Sequence, residues 1–370
     1  MLCLKHNRWF KNNLFRHGAR TPILSSIGFC KIADTSAYES YGIGELTNEG
    51  KEQEYKFGSF LRYRYNDYLS ARYKSEDLYA YASDVSRVKA SLEYVLNGLY
   101  PPVQPANWNA QLKWSRVPYI YTPKNLDTFL GSFRHPKFLR TVLQNLKSRE
   151  IRSHLATHSN LINFVKQKEV IKNCSSSLLH IALAYDVLVA NEHMKLPLAK
   201  WYTPDVREHL EELVELALDT LITGTKEMQK LGAGSLVKTF IGNLNLNGKN
   251  EKPKKMYLYA GHDVNLHLFA RAHGLQPFRI PPFGSAVILE KFHDPKNQTY
   301  VRLLAWDGID RIRSLKLEDH SEFCPVEDYL RITEAMLPSE KETDELLDEF
   351  LVGRSGKRIR SLLYDISSGL

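Results

Sequence analysis

The sequence predicts an α/β fold, a sheet flanked by helices, because a strand–turn–helix pattern occurs twice along the chain. In the first copy, the compact aromatic run 78–82 is followed by a predicted helix over 87–99. In the second, the apolar run 256–260 turns at Gly261 into a predicted helix over 264–272. Repeated strand–turn–helix units are typical of α/β domains.

Further segments extend this predicted core. The segment 46–65 is predicted to be a helix, since Thr47 can cap its N-terminus and apolar side chains recur at helical spacing. Towards the end of the chain, 286–289 and 300–304 have the composition of strands, and a turn at Asp294 joins them. These segments add one helix and two strands to the repeated units.

The middle of the chain differs, because helical periodicity dominates it. The runs 178–189 and 206–221 repeat apolar residues at the spacing of a buried helix face. We therefore expect a helical cap lobe inserted into an α/β catalytic domain, then a polar tail that forms a peripheral helix or is partly disordered. The expected boundaries are 1–115 and 246–335 for the discontinuous catalytic domain, 116–245 for the helical cap lobe and 336–370 for the polar C-terminal tail.

Composition narrows the classes of partner. The chain has 370 residues and a net charge of +8, which favours nucleic acid, a membrane surface or small phosphorylated ligands. Basic residues are mostly scattered among acidic ones, so the charge pattern does not indicate a nucleic-acid surface. No apolar run reaches the roughly 18 residues that span a bilayer. We therefore expect no nucleic-acid partner and no membrane span.

Cysteine usage and the first residues bear on localisation. The 4 cysteines include no C-x-x-C pair, which excludes a zinc ribbon and a thioredoxin-like site. The segment 1–10 lacks the apolar stretch of a signal peptide, which indicates either a cytosolic start or a longer precursor. Sequons begin at Asn173 and Asn297, and they would carry glycan only in a secreted protein.

One short turn carries the chemistry of phosphoryl transfer. Arg16 and Arg20 can hold phosphoryl oxygens through paired hydrogen bonds, while the neutral imidazole of His17 can attack phosphorus. Gly18 removes a side chain where the backbone must approach closely. A surface turn rich in positive charge is the alternative interpretation of this segment alone.

Two later strand ends add matching residues. Arg87 follows the strand 78–82 and can donate to a phosphate, because ligands bind at the carboxyl ends of strands in α/β sheets. His262 and Asp263 open the helix after 256–260, where the helix N-terminus favours an anion and a carboxyl group can protonate a leaving oxygen. Taken singly, each could be an ordinary helix-start residue, but their concordance with Arg16–Arg20 indicates one phosphate site.

Competing motifs are absent from the sequence. It contains no G-x-x-x-x-G-K-[ST], no G-x-S-x-G and no H-E-x-x-H. His262, His267 and His273 do not share one helix face, so they do not indicate a metal site. We expect no metal and no other cofactor.

These residues resemble the histidine acid phosphatase family, which includes prostatic, lysosomal and insect venom acid phosphatases. The resemblance extends from about Leu14 to Pro325. It rests on FRHGARTP, ELTNEGKEQEYKFGSFLRYRY, the SDVSR turn, GLYPP, LYAGHDVN and PPFGSAVILE.

The resemblance implies a fold, a reaction and a set of roles. The implied fold is a phosphoglycerate-mutase-like mixed sheet flanked by helices, with a helical cap lobe. The implied reaction is metal-independent hydrolysis of phosphate monoesters, either small molecules or phosphorylated proteins, through a phosphohistidine on His17. Asp263 is then the proton donor. The resemblance also implies a secreted or lysosomal glycoprotein and leaves a homodimer open. The implied phosphate-binding residues are Arg16, Arg20, Arg87 and His262.

Two departures from the family pattern lead to further expectations. Lys11, Asn12 and Asn13 occupy positions where a buried central strand should be continuously apolar, so we expect the start of that strand to be altered. Cys324 resembles one half of a family disulfide, but His135 stands where its partner is expected, so we expect that bridge to be absent. These departures motivate an alternative function, a catalytically weak, secreted homologue that binds phosphate ligands.

Overall fold

The computed structural model describes residues 8–29, 34–102, 111, 114, 116–167, 178–246, 248 and 252–352. Within them, one mixed eight-stranded sheet runs in the order β3-β2-β4-β1-β5-β6-β7, with β8 paired to β6. The strands are β1 (Arg8–Arg16), β2 (Leu78–Ser83), β3 (Ile120–Thr122), β4 (Met256–Gly261), β5 (Ala286–His293), β6 (Thr299–Trp306), β7 (Ile312–Leu315) and β8 (Cys324–Pro325). The predicted α/β class is confirmed.

The direction of the strands places three loops together. Strand β1 is parallel to β4 and β4 is parallel to β2, whereas β5 is antiparallel to β1. Parallel neighbours end at the same edge of a sheet, so the loops after β1, β2 and β4 meet there. The helices α2 (Asn48–Arg64), α3 (Ser86–Leu99) and α10 (Asp263–Ala272) begin near this edge.

The predicted elements of the α/β part are confirmed within a few residues. Helix α2 begins after Thr47, whose hydroxyl accepts a hydrogen bond from the backbone N–H of Gly50. The turn at Asp294 joins β5 to β6, and its Oδ1 accepts from the backbone N–H of Lys296 at 2.9 Å. Both strands extend beyond their predicted ends, because their later residues continue the antiparallel ladder.

The sheet separates two apolar cores. On one face of the sheet, Phe15 packs against α2 and α3. Phe57 of α2 and Leu92 of α3 are fully buried there. On the other, Leu14 packs against helices that include α10. The other α-helices that the structure describes are α1 (Leu24–Phe29), α4 (Pro136–Leu146), α5 (Arg149–Thr157), α6 (Ser159–Lys166), α7 (Leu178–His193), α8 (Pro204–Leu221), α9 (Lys226–Asn243), α11 (Val326–Thr333) and α12 (Glu340–Val352).

The expectation of an altered first strand is wrong. Strand β1 is continuous over its nine described residues, and it pairs with β4 on one side and β5 on the other. Lys11, Asn12 and Asn13 are fully buried within it. The side-chain amide of Asn12 donates to the carbonyl of Phe240 at 3.1 Å, and that of Asn13 donates to Tyr257 at 3.0 Å. Hydrogen bonding makes burial of these polar groups tolerable.

The buried ammonium of Lys11 is stabilised by aromatic rings and by the charge of one carboxylate. It lies 5.2 Å from the ring centre of Tyr65 and 5.4 Å from that of Tyr68, within the range of cation–π attraction. Glu290 is fully buried on β5, beside Lys11 in the ladder. Burial alone would raise the pKa of Glu290, but Lys11, Arg302 and other partners lower it to about 2.

Replacing Glu290 by glutamine is expected to lower the free energy of unfolding by about 3–5 kcal/mol, because it leaves buried cations without their carboxylate. The Glu290 carboxylate accepts hydrogen bonds from Tyr65 at 2.7 Å and from Arg302 at 2.7 Å. Urea unfolding at pH 7 measures the loss. The exposed Glu76, changed to glutamine, is the matched control.

The pH dependence of this loss has a definite sign. The folded-state pKa of Glu290 lies below its ordinary value of 4.5, so its stabilising effect is complete above about pH 4.5 and declines as the pH falls towards about 2. The difference between wild type and Glu290→Gln should therefore shrink in acid. A difference that stays constant down to about pH 2 would contradict this assignment.

The remaining predictions concern the tail and the cysteines. Part of the predicted polar tail forms α12, and residues 353–370 lie outside the described residues. Cys324 is buried with a free thiol. The other three cysteines and Asn173 also lie outside the described residues. Among the helices that the structure describes, none is both long and apolar enough to cross a bilayer.

Candidate active site

The residues predicted for a phosphate site lie together at the edge where β1, β2 and β4 end. His17 follows β1 directly, Arg87 is the second residue of α3, and His262 stands between β4 and α10. All six predicted residues line one cavity of about 780 Å³, a volume typical of small-molecule sites. The six are Arg16, His17, Arg20, Arg87, His262 and Asp263.

The loop that carries His17 packs directly on the N-terminus of α2. A side-chain carbon at Gly18 would lie 2.3 Å from the carbonyl oxygen of Gly50, and one at Gly50 would lie 2.0 Å from that of Ala19. Glycine at 18 and 50 therefore permits this close approach. Gln53 Oε1 also accepts a hydrogen bond from the backbone N–H of Ala19 at 2.9 Å. These contacts fix the position of the loop.

The hydrogen bond of His17 determines its tautomer. Its Nδ1 lies 3.0 Å from the carbonyl oxygen of Gly18, and a carbonyl oxygen can only accept, so Nδ1 carries the proton. In a neutral imidazole the other nitrogen, Nε2, then has a free lone pair. The tautomer is the one that a nucleophilic Nε2 requires.

The environment of His17 keeps its imidazole neutral. The side chain is 2% exposed. Burial and then the positive charges of Arg87, Arg20 and Arg16 hold the pKa of His17 well below its ordinary value of 6.5. Desolvation and like charges both disfavour the protonated ring. His17 is therefore available as a nucleophile in acid.

The acid limb of kcat/KM for phenyl phosphate is expected below pH 6.5, because protonation of His17 in the free protein needs a more acidic solution than an ordinary histidine does. A pH–rate profile measured in buffers of constant ionic strength tests this, and activity should persist at about pH 5. The expectation fails if activity falls on the acidic side with an apparent pKa near 6.5.

The three arginines present unused donors around His17. The Nε atoms of Arg16, Arg20 and Arg87 are buried and have no hydrogen-bond partner among the described residues. Burial, followed by the charge of Arg20, lowers the pKa of Arg87 to about 10, so it remains cationic in acid. Buried donors ordinarily have acceptors. An anion with several oxygens, such as a phosphoryl group, would supply them here.

Asp263 is held by Arg16 at the mouth of this cluster. Its Oδ2 lies 2.9 Å from Nη2 of Arg16, and its side chain is 32% exposed. Its Oδ1 accepts a hydrogen bond from the backbone N–H of Val264 at 2.8 Å. Burial would raise the pKa of Asp263, but Arg16 and the Val264 N–H outweigh it, and the pKa lies below its ordinary value. Asp263 is ionised in the free site.

His262 is held in place by hydrogen bonds to residues of β2 and α10. Its Nε2 lies 3.0 Å from the hydroxyl of Ser83 at the end of β2. The backbone N–H of His262 donates to Oδ1 of Asn265 at 2.9 Å. Burial and then the charge of Arg87 hold the pKa of His262 well below its ordinary value, so this ring is also neutral. The His17 and His262 ring centres are 5.5 Å apart.

Asp186 is a site residue that the sequence analysis missed. It lies on α7 within the same cavity, and Arg20 donates to it from Nη2 at 2.6 Å and from Nη1 at 3.3 Å. Ser26 donates to Asp186 at 2.9 Å. This pairing orients the Arg20 guanidinium and connects α7 to the loop that carries His17 and Arg20. In the sequence, the sign of this role is that Asp186 is a single carboxylate inside the apolar run 178–189.

Phe283 is the second residue that was missed. The guanidinium of Arg16 lies 4.1 Å from its ring centre and that of Arg20 lies 5.6 Å away, while the ring of His17 lies 5.8 Å away. The ring thus forms a floor that stacks against the cations without consuming their hydrogen-bond donors. Nothing in the local sequence distinguishes it from a core phenylalanine.

No group of three or more His, Cys, Asp or Glu side chains in the described ranges is arranged to hold a metal ion. The candidate site consists of cations, two neutral imidazoles and two carboxylates. Such a set can bind an anion, provide a nitrogen nucleophile and exchange a proton.

Comparison with known proteins identifies sequence relatives along most of the chain. The sequence model of a family described as the histidine phosphatase superfamily (branch 2) matches residues 11–305. Venom acid phosphatase Acph-1 of Apis mellifera is 30% identical, over 90% of this chain and 86% of its own. Prostatic acid phosphatase of Mus musculus is 27% identical, over 94% and 91%. Lysosomal acid phosphatase of Bos taurus is 26% identical, over 90% and 78%.

Solved structures share the fold at lower identity. The phytase of Citrobacter braakii superposes with a TM-score of 0.66 at 17% identity, covering 90% of this chain and 98% of its own. A phytase of Klebsiella sp. ASR1 gives 0.64 at 15% identity, covering 90% and 98%. At this identity the likeness concerns the fold alone.

Proposed function

The chain belongs to the histidine phosphatase superfamily (branch 2) and is a histidine acid phosphatase, a phosphoric monoester hydrolase; we propose that it acts through a phosphohistidine on His17. One observation carries this proposal: His17 has its proton on Nδ1 and lies among three arginines with unused donors. In the proposal, Arg16, Arg20, Arg87 and His262 bind the phosphate.

The first chemical step forms a nitrogen–phosphorus bond. The Nε2 lone pair of His17 attacks phosphorus in line with the leaving oxygen, and the bond from phosphorus to that oxygen breaks. The arginines neutralise the equatorial oxygens in a cavity that is already organised, so little rearrangement is needed during the reaction. The proton stays on Nδ1, and its hydrogen bond to the Gly18 carbonyl oxygen stabilises the positive charge that develops on the imidazole.

Asp263 supplies the proton in this proposal. In the free site it is ionised because Arg16 holds it. A bound phosphate competes for Arg16 and adds negative charge nearby, and both effects raise the pKa of Asp263. The protonated carboxyl then donates to the leaving oxygen. In the second step, Asp263 takes a proton from water as the water oxygen attacks phosphorus, and the nitrogen–phosphorus bond breaks.

Trapping the intermediate tests the proposal directly. Protein mixed with a ³²P-labelled monoester at pH 5 in chelator, and then quenched in alkali, should retain label that is stable to alkali and released by acid. Mass spectrometry should locate the phosphoryl group on the peptide that contains His17. Label on another residue, or turnover with no labelled protein under single-turnover conditions, would refute the phosphohistidine.

The alternative of a catalytically weak phosphate-binding homologue is not better supported. It rested partly on an altered first strand, and β1 is continuous from Arg8 to Arg16. It also rested on the lost disulfide partner. His135 instead caps α4 by accepting from the backbone N–H of Lys137 at 3.1 Å. Ordinary turnover with phenyl phosphate would eliminate this alternative.

The helical cap lobe, 116–245, is proposed to shape the leaving-group side of the cavity and so to select among small-molecule and protein monoesters.

We also propose that the protein is a secreted or lysosomal glycoprotein. On the family resemblance alone, we propose that it forms a homodimer. The names of the venom and lysosomal relatives support the location, and Asn297 lies in an exposed turn where a glycan would fit. Cell fractionation, N-glycosidase treatment and light scattering test these points.

A further inference from the structure

We propose that the cavity holds a second anion-binding subsite, formed by Lys124 and Arg134 beside the phosphate site. It would select phosphate monoesters whose leaving group carries a second anionic group, a phosphate or a carboxylate. The inference rests on the proposed function, because it concerns the leaving group of that reaction. Neither residue was singled out by the sequence.

The two cations lie on the wall of the cavity next to Arg87 and His262. Both Lys124 and Arg134 line it. Arg134 lies close enough to the phosphate site to lower the pKa of His262. Burial and the charge of Arg87 lower this pKa more, and the charge of Arg134 comes next. Burial and then the charges of Arg134 and Arg87 lower the pKa of Lys124. The cations repel one another across this part of the cavity.

Charge balance gives these cations a role beyond the first phosphate. Arg16 and Arg20 have carboxylate partners in the free site. Among the described residues, Lys124 and Arg134 form no salt bridge. The nearby carboxylate of Asp84 attracts Lys124 electrostatically, but its ion pair is with Lys89 at 2.5 Å.

The second nearby carboxylate, Asp127, attracts Arg134 electrostatically but forms no salt bridge with it among the described residues, and burial raises the pKa of Asp127. Asp127 Oδ1 accepts from the backbone N–H groups of Phe129 and Leu130 at 3.0 and 2.9 Å. One phosphoryl group carries at most two negative charges and is served by three arginines. Positive charge at Lys124 and Arg134 therefore remains available to a second anion.

The segment that carries Arg134 is fixed relative to the phosphate site. The side-chain amide of Asn265 donates to the carbonyl of Leu130 at 2.9 Å, and Oδ1 of the same residue accepts from the backbone N–H of His262. Arg134 Nη2 also donates to the carbonyl of Lys124 at 3.4 Å. The guanidinium is thus organised before a ligand binds, which reduces the entropic cost of recognition.

A series of matched substrates tests the subsite. The bisphosphates of ethanediol, propanediol and butanediol are compared at pH 5 with ω-carboxyalkyl phosphates and simple alkyl phosphates of the same lengths. After correction for the two reactive groups of a bisphosphate, its best kcat/KM should exceed that of the matched alkyl phosphate by about tenfold or more, since a hydrogen-bonded charged contact contributes about that much. Preference for the carboxyalkyl esters as well would assign the subsite to any anion.

Variants connect the preference to the two residues. In Lys124→Gln the ratio of bisphosphate to alkyl phosphate should fall roughly threefold, as expected for an exposed cation, and in Arg134→Gln roughly tenfold. Arg134→Lys should restore part of it. Lys147→Gln removes an exposed charge outside the cavity and should leave the ratio unchanged.

The outcomes separate the two proposals. Normal turnover of alkyl phosphates without a bisphosphate preference overturns the subsite alone, as does a preference that survives in both glutamine variants. Absence of turnover on every substrate overturns the proposed function and the subsite together. Because Lys124 is exposed, its variant keeps the test decisive even if Arg134→Gln fails to fold.

Discussion

Changing His17 to alanine is expected to lower kcat/KM for phenyl phosphate at pH 5 by at least about 10⁴-fold, because it removes the atom that is proposed to form the covalent intermediate. The surrounding cations remain, so phosphate should still bind. We therefore expect kcat to fall steeply, while the affinity for inorganic phosphate, measured by direct binding, is largely retained. Labelled phosphoprotein should disappear at the same time.

The control for this change is another histidine-to-alanine variant. His154 is exposed on α5 and lies outside the cavity, so His154→Ala should keep wild-type kinetics. Circular dichroism should show the same helix content for both variants. If His17→Ala kept more than about 1% of wild-type kcat/KM while folded, the phosphohistidine would not lie on the main route.

Changing Asp263 to asparagine is expected to slow hydrolysis by an amount that depends on the leaving group. For alkyl phosphates, whose leaving alkoxide is strongly basic, loss of the proposed proton donor should cost about 10²–10⁴-fold in kcat. For 4-nitrophenyl phosphate, whose leaving group is a weak base, the loss should be far smaller. This contrast identifies proton donation, because a general loss of phosphate binding would affect both substrates equally.

Two further measurements complete this test. Asp67→Asn removes an exposed carboxylate outside the cavity and serves as the control. The phosphohistidine should still form from 4-nitrophenyl phosphate in Asp263→Asn, and its hydrolysis should become slower, since the same carboxylate is proposed to activate water. Equal losses for alkyl and 4-nitrophenyl esters would remove Asp263 from the role of proton donor.

Much of the α/β core could be predicted, because its signals are local. Helices α2 and α3 show helical spacing and clear boundaries, and the two strand–turn–helix units are continuous in sequence. Arg87, His262 and Asp263 were found because each follows a predicted strand, and parallel strands bring their carboxyl ends together. Arg16, His17 and Arg20 were found from their residue types, since no strand was predicted before them from the local sequence.

What could not be predicted depends on partners that are distant in sequence. Lys11 looks incompatible with a central strand until Glu290, on the neighbouring strand, and Tyr65 are known to surround it. Asp186 lies in the site only because α7 packs against the loop that carries His17 and Arg20. Helical periodicity does not specify this packing. Arg134 likewise ends a single turn of 3-10 helix, Ser132–Arg134, and has no local pattern of its own.

The polar character of β1 also matters before the native structure exists. Central strands of mixed sheets make contacts that are distant in sequence, so they pair slowly and stay exposed while the chain folds. An uninterrupted apolar strand in that state is a template for cross-β aggregation. Lys11, Asn12 and Asn13 interrupt the run and add charge, as gatekeeper residues do. We therefore expect the strand that precedes His17 to resist self-association in the unfolded chain, and the charge of Glu290 compensates that of Lys11 once the sheet has formed.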